Sequence, residues 1–203
     1  MHEPLRPLGE FPVVLDAAQQ IIAVGDSNTR GSLSGGPQAA YPAILGKLVG
    51  MSPVRNASTG GETVSGTLSR PWIEARSGDL VIVMFGTNDA APRAWLSDKT
   101  AVDPQRYADD LASLAEHYLA RGAEVLILAP LPAGSRAMDE RIAPYREKAR
   151  EAAQRSGARF LDPVTAFEGE TNVPLTYDGI HLTNSGQRQL ALLLSEHLSI
   201  VDR

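Results

Sequence analysis

The residues best suited to chemistry are a serine near the amino terminus and an aspartate–histidine pair near the carboxyl terminus. Ser27 follows an apolar run at 21–24, and Asp178 precedes His181 by three residues. A serine hydroxyl is a weak nucleophile at neutral pH and needs a base, which an imidazole oriented by a carboxylate supplies. These residue types therefore indicate acyl transfer, with Ser27 as nucleophile, His181 as base and Asp178 orienting the imidazole.

Two further segments could supply donors for the oxyanion that forms in such a reaction. Gly61 lies in the loop after a weak strand at 53–57, and Asn88 follows the apolar run at 80–85. The expected donors are the amides of Ser27 and Gly61 and the side-chain NH2 of Asn88, and each is worth about 10²–10³ in rate. A turn that needs a positive φ and a helix cap are the alternative roles of Gly61 and Asn88.

The segments that carry these residues alternate between short apolar runs and longer amphipathic stretches. The run at 80–85 is typical of a parallel strand buried on both faces. This alternation predicts a mostly parallel sheet flanked by helices, in which ligands bind outside the carboxyl ends of the strands. The predicted strands are 21–24, 53–57, 79–85, 124–129 and 159–161. The predicted helices are 39–49, 104–120, 137–156 (interrupted or started anew near Pro144) and 183–198, which ends the fold.

Size and charge narrow the class of protein. The chain of 203 residues suits one α/β domain over 1–203, with 1–18 as an amino-terminal extension. Its net charge of −5 leaves no basic excess to neutralise phosphates, so nucleic acid and anionic membranes are not expected as partners. Whether the protein forms a homo-oligomer stays open.

Residue types that are missing exclude other chemistry. The chain contains no cysteine, which excludes disulfides, cysteine-ligated zinc and a thiol nucleophile. No spacing typical of metal ligands occurs, so neither a metal nor another cofactor is expected. The first residues lack a signal-peptide pattern, and the apolar run at 80–85 is too short to span a bilayer. A cytoplasmic protein is the expectation, with an exported protein whose signal was removed as the alternative.

Four blocks of the sequence resemble those of the SGNH hydrolases, also called GDSL esterases. They are Gly-Asp-Ser at 25–27, Gly61, Gly-Thr-Asn-Asp at 86–89 and Asp-Gly-Ile-His at 178–181, in the order typical of the family. The leucine that often follows the serine in this family is Asn28 here. No Gly-x-Ser-x-Gly occurs in the chain, which excludes the nucleophile elbow of the α/β-hydrolases.

The resemblance implies a fold and a set of roles. The fold would be a flavodoxin-like three-layer α/β/α sandwich with five parallel strands. Ser27 would be the nucleophile, and Gly61 and Asn88 would be oxyanion donors. His181 would be the base, with Asp178 as its partner.

Several residues compete with these or lie around them. Asp162, after the fifth predicted strand, is the rival partner for His181, and Gly60 is the neighbour of Gly61 in the second block. Arg30 and Trp95 are candidates for lining the substrate pocket, Trp95 from the long loop at 90–103. Solvation or packing within their own segments is the alternative for both, and Arg136 is a weaker pocket candidate.

The expected activity is hydrolysis of a small-molecule carboxylic ester. The loop with Pro92, Arg93 and Trp95 resembles that of small bacterial arylesterases and acetyl esterases, which favours a short acyl group such as acetyl on a carbohydrate or an aryl alcohol. A thioesterase or lysophospholipase acting on longer chains is the alternative. An acyltransferase and a catalytically silent α/β binding module are kept as further hypotheses.

Overall fold

Five parallel strands form the central sheet in the computed structural model of the chain, which describes residues 3–70, 72–90, 100–167 and 175–202. Its elements confirm the predicted alternation. The strands are β1 Val13–Asp16, β2 Ile21–Gly25, β3 Arg55–Ser58, β4 Leu80–Met84, β5 Glu124–Leu128, β6 Arg159–Leu161 and β7 Leu198–Val201. The helices are α1 Ser27–Arg30, α2 Tyr41–Leu48, α3 Val64–Leu68, α4 Thr87–Ala90, α5 Pro104–Leu119, α6 Arg136–Ser156 and α7 Asn184–Glu196, with a 3₁₀ helix at Pro163–Phe167.

The order of strands in the central sheet is β3-β2-β4-β5-β6, with every pair parallel. Counting these strands in chain order gives 2-1-3-4-5, the flavodoxin-like arrangement. The predicted fold class is therefore confirmed. Because β2 lies between β3 and β4, the segments that follow these three strands meet at one edge of the sheet.

Helices cover both faces of this sheet. Alternate side chains of a strand point to opposite faces, and since these side chains are apolar, both faces must be buried. Each face carries its own buried apolar cluster, so the molecule has three layers. On one face the strands pack against α5 and α6, and on the other against α2 and α7. β4 is fully buried along its length, as its continuous apolar sequence predicts.

A second, two-stranded sheet was not predicted. β1, within the predicted amino-terminal extension, pairs in parallel with β7 at the carboxyl end. The chain therefore does not end with the last predicted helix, because α7 stops at Glu196 and β7 follows. Both strands are four residues long, and each is too short to show a clear alternation by itself. Leu8, before β1, forms an antiparallel bridge with Phe160 of β6.

Helix α6 also differs from its prediction, because it runs without a break through Pro144. A proline removes the hydrogen bond to the carbonyl four residues earlier, here that of Glu140. Pro144 and Glu140 are both exposed, so water can bind this carbonyl. In the part of the chain that the structure describes, no helix is both long and apolar enough to cross a membrane.

Candidate active site

Ser27 is the first residue of α1, directly after β2, and a tight turn places it there. The turn needs glycine at position 25, because a Cβ atom there would lie 2.2 Å from Thr29 Oγ1 and 2.7 Å from the carbonyl oxygen of Met84. Asp26 caps α1, its Oδ1 accepting from the amide of Asn28 at 2.9 Å. The exposed fraction of Ser27 is 6%, so only a small part of this residue is accessible to solvent.

His181 lies between Ser27 and Asp178. Its Nε2 is 3.0 Å from Ser27 Oγ, and its Nδ1 is 2.7 Å from Asp178 Oδ2. An ionised carboxylate can only accept, so in the neutral imidazole Nδ1–H donates to Asp178 and leaves Nε2 free to accept from the serine hydroxyl. The structure thus brings together the three residues that the sequence predicts.

The loop that carries Asp178 and His181 folds onto its own carboxylate. Asp178 Oδ1 accepts from the amides of Ile180 at 3.0 Å and His181 at 2.8 Å, as in an Asx-turn. Partial burial opposes ionisation of Asp178, but the hydrogen bonds from these amides and from the His181 ring hold the pKa of its carboxyl below the ordinary value. The carboxylate is therefore charged at neutral pH, as a partner for an imidazolium must be.

The two predicted oxyanion segments lie at the same edge of the sheet. Gly61 has a φ of +75°, in the region that favours glycine. Its amide donates to no protein acceptor among the described residues. Asn88 lies in α4, directly after β4, and its Nδ2 donates to Asp26 Oδ2 at 3.1 Å. A primary amide has two N–H groups, so Asn88 keeps one for a ligand.

Comparison with known proteins agrees with this geometry. The profile of the GDSL-like lipase/acylhydrolase family matches residues 23–189, a span that contains all four sequence blocks. The chain belongs to this family. It is therefore a carboxylic-ester hydrolase, as the resemblance implied. No curated protein matches the sequence.

Solved structures share the fold of this GDSL-family protein at low sequence identity. Axe2, an acetylxylan esterase from Geobacillus stearothermophilus, is 20% identical with a TM-score of 0.75, and the match covers 95% of this chain and 100% of Axe2. LAE5, an α/β hydrolase enzyme from the metagenome of Lake Arreo in Spain, is 23% identical with a TM-score of 0.74, covering 91% and 98% of the two chains. At these identities the likeness shows the fold.

Asp89 is the neighbour of Asn88, the predicted oxyanion donor of this GDSL-family protein. It is completely buried, and its Oδ1 accepts from the amide of Val64 at 3.3 Å, which ties α4 to the first turn of α3. Burial raises the pKa of its carboxyl to about 7, opposed by the Val64 hydrogen bond and reinforced by the charge of Asp26. The other oxygen, Oδ2, makes no hydrogen bond to the described residues.

The rival partner for His181 has another role. Asp162 forms a buried ion pair with Arg146 at 2.5 Å, and its Oδ2 also accepts from the amide of Leu5 at 2.9 Å. Asp162 thus binds α6 and the amino-terminal segment to the end of β6. The prediction of Asp178 as the carboxylate beside His181 is the one that the geometry supports.

The described contacts of the predicted pocket residues do not indicate a substrate-binding role. Arg30 is exposed at the end of α1, and Arg136 is exposed and pairs with Glu140 at 2.8 Å along α6. Trp95 lies outside the described residues. The other described histidines have packing roles, since His117 stacks on Trp72 at 3.7 Å between ring centroids and His197 bonds the Leu193 carbonyl at 2.8 Å.

Two buried amide side chains around the site were missed by sequence reasoning. Asn28 contacts the backbone on either side of His181, and Gln187 of α7 donates to the carbonyl of Asn28 at 3.0 Å. The only signal in the sequence is the asparagine at a position where the family often has leucine. Among the described residues, no group of three or more histidine, aspartate or glutamate side chains could hold a metal ion.

Proposed function

We propose that the protein hydrolyses short-chain carboxylic esters through an acyl-enzyme on Ser27. The observation that carries this proposal is the chain of two hydrogen bonds from Ser27 Oγ to His181 Nε2, at 3.0 Å, and from His181 Nδ1 to Asp178 Oδ2, at 2.7 Å. Nucleophile, base and orienting carboxylate within hydrogen-bond reach are the signature of an activated serine.

In the first step Ser27 Oγ attacks the ester carbonyl while its proton moves to His181 Nε2. The imidazolium that forms is stabilised by the ionised Asp178. The carbonyl oxygen becomes negative as the C–O bond to Oγ forms. It would accept from the amides of Ser27 and Gly61 and from the remaining N–H of Asn88, and the fixed bond from Asn88 to Asp26 supports this assignment by orienting the amide.

Collapse of the tetrahedral intermediate expels the alcohol, which takes its proton from His181. Water then attacks the acyl-enzyme while His181 Nε2 accepts a proton from it. The bond to Ser27 Oγ then breaks while Oγ takes the proton back from His181 Nε2, which releases the carboxylic acid and restores the serine and the neutral imidazole. All the proton transfers in this scheme pass through the one nitrogen that faces Ser27.

The substrate proposed is a short acyl ester, such as acetyl, of a carbohydrate or an aryl alcohol. Support comes from the shared fold with Axe2, which is an acetylxylan esterase. A thioesterase or lysophospholipase on longer acyl chains is the second candidate. A cavity of about 240 Å³ favours it, because the cavity adjoins the His181 loop and its lining includes the apolar Leu131, Phe167, Leu175 and Leu182.

The test is hydrolysis of p-nitrophenyl esters from acetate to palmitate by the wild type and Ser27→Ala. We expect activity on acetate and butyrate, and a loss of about 10⁴–10⁶ in kcat in the variant. Ser113→Ala is the matched control, because Ser113 lies on the exposed face of α5 and only bonds the Asp109 carbonyl.

The outcomes separate the alternatives. A maximum at long chains would replace the short-chain substrate by the longer-chain candidate while keeping Ser27 as nucleophile. A folded Ser27→Ala protein with wild-type activity would overturn the proposed mechanism altogether. Equal melting temperatures of the variants, measured by circular dichroism, show that the fold is intact.

A further inference from the structure

Asn28, the residue after the nucleophile, joins the helix of Ser27 to the loop of His181. Its side chain is buried, with an exposed residue fraction of 1%. Its Nδ2 donates to the carbonyl of Ile180 at 3.2 Å, and its Oδ1 accepts from the amide of Leu182 at 3.0 Å. The two contacts therefore fall on the residues immediately before and after His181.

This pair of hydrogen bonds has the pattern of a bridge between parallel strands. In a parallel ladder, one residue donates to the carbonyl before its partner and accepts from the amide after it. Here the side-chain amide of Asn28 takes the place of a strand residue, and its partner is His181. An asparagine can do this because one planar group carries both a donor and an acceptor.

The backbone of His181 itself points to the opposite side, as a parallel bridge requires. Its amide donates to Asp178 Oδ1 at 2.8 Å, and its carbonyl accepts from the amide of Tyr177 at 2.8 Å. The peptide groups around His181 are thus bonded on both sides. This fixes the direction of the Cα–Cβ bond, and with it the place from which the imidazole reaches Ser27.

Asn28 is itself held at both ends. Its amide donates to Asp26 Oδ1 at 2.9 Å, and its carbonyl accepts from Gln187 Nε2 at 3.0 Å. Gln187 is fully buried, and its Oε1 accepts from the amide of Tyr41 at 2.7 Å. The nucleophile helix, the His181 loop, α7 and the start of α2 are therefore joined through one buried amide network.

We propose that Asn28 is a positioning residue that sets the place of His181 Nε2 relative to Ser27 Oγ. The inference rests on the proposed function, because it gives Asn28 its effect through His181. A leucine here has a similar size but neither donor nor acceptor, so it would leave the Ile180 carbonyl and the Leu182 amide without their partner. An aspartate would keep the acceptor and lose the donor.

The experiment compares Asn28→Leu with wild type on p-nitrophenyl acetate. We expect kcat to fall about 10- to 100-fold, because a misplacement near 1 Å costs up to about 10². KM should change less than about threefold, since Asn28 is 1% exposed and acts through His181. Asn56→Leu is the matched control, because Asn56 Nδ2 also bonds the backbone of α1, at the Thr29 carbonyl at 2.7 Å, but makes no hydrogen bond to the His181 loop among the described residues.

A double-mutant cycle separates positioning from general destabilisation. In a His181→Ala background, Asn28→Leu should lower the residual kcat by less than about twofold, because residues that act as a unit are non-additive. The Asn56→Leu effect should be the same in both backgrounds. Asn28→Asp, measured in the same cycle, decides the question if Asn28→Leu does not fold.

The outcomes test the role of Asn28 separately from the proposed function. Equal losses in the wild-type and His181→Ala backgrounds, or a folded Asn28→Leu protein with wild-type kcat, would overturn the role of Asn28. Retained activity in Ser27→Ala, run in parallel, would overturn the proposed function instead. A loss confined to backgrounds with His181, at an unchanged KM, supports the positioning role.

Discussion

The two sides of the site are held by different means. The proposed acid–base side, formed by Ser27, His181 and Asp178, is fixed by the buried side-chain amide of Asn28 and by the exposed carboxylate of Asp178, which both bond peptide groups around the histidine. The proposed oxyanion side, formed by Gly61 and Asn88, rests on two buried carboxylates: Asp26 accepts from the side chain of Asn88, and Asp89 accepts from the amide of Val64, three residues after Gly61. Asp26 and Asp89 have exposed fractions of 2% and 0%.

Because of this difference, we expect the rate and the stability to depend on pH through different groups. On the acid–base side the group that must change its charge during turnover is His181, so this side should govern how the rate depends on pH. On the proposed oxyanion side the buried carboxyl of Asp89 can stay ionised in the folded state only at a cost in free energy. That side should therefore govern how stability depends on pH. If the rate and the stability do not depend on pH through these separate sides, the contrast between them fails.

The largest effect is expected from His181→Ala. Without the base, kcat on p-nitrophenyl acetate should fall by on the order of 10⁶. The decrease of rate towards acid, which arises because a protonated imidazole cannot accept the Ser27 proton, should disappear from the pH profile. His117→Ala, on α5, is the control and should keep both the rate and its profile. A variant that retains the acid limb would show that another group governs it.

Asn88→Ala should have a smaller effect of a different kind. Removing one oxyanion donor should lower kcat by about 10²–10³ and leave KM almost unchanged, because the donor acts in the transition state. The pH profile should keep its shape, since His181 is untouched. A shifted profile in this variant would mean that the two sides are coupled through Asp26. Asn56→Ala, which removes a different asparagine contact, should stay within about threefold of wild type in kcat.

Much of this architecture could be predicted from the sequence. The central strands can be recognised because β4 and β5 are continuous apolar runs. Their parallel order brings the segments after β2, β3 and β4 to one edge of the sheet. Ser27, Asp178 and His181 were predicted from residue type and spacing, and the structure brings them within hydrogen-bond distance.

The missed features depend on tertiary contacts that leave little trace in the sequence. β1 and β7 are short and pair with each other across nearly the whole chain, so neither could be recognised by itself. Asn28 and Gln187 are 159 positions apart, and nothing local shows that a side-chain amide will take the place of a strand residue. Pro144 was expected to interrupt α6, because its exposure to water could not be known beforehand.

The smallest expected effect, on stability, comes from Asp89→Asn. The pKa of Asp89 is raised from its ordinary value near 3.8 to about 7, first by burial, so the folded state binds more protons than the unfolded chain between these values. Stability should therefore fall as pH rises through this window, and the three-unit difference sets an upper limit of about 4 kcal/mol. The neutral asparagine keeps the acceptor for Val64 without the cost of charge.

The free energy of unfolding, measured with urea at pH 5 and pH 8, tests this expectation. Asp89→Asn should gain more stability relative to wild type at pH 8 than at pH 5. Asp109→Asn is the matched control, because Asp109 is exposed on α5, and the hydrogen bond from Arg155 lowers the pKa of its carboxyl. Its removal should not change the slope in this window. If the wild type and Asp89→Asn lose stability in parallel between the two pH values, the oxyanion side does not govern the pH dependence of folding, and the contrast with the acid–base side fails.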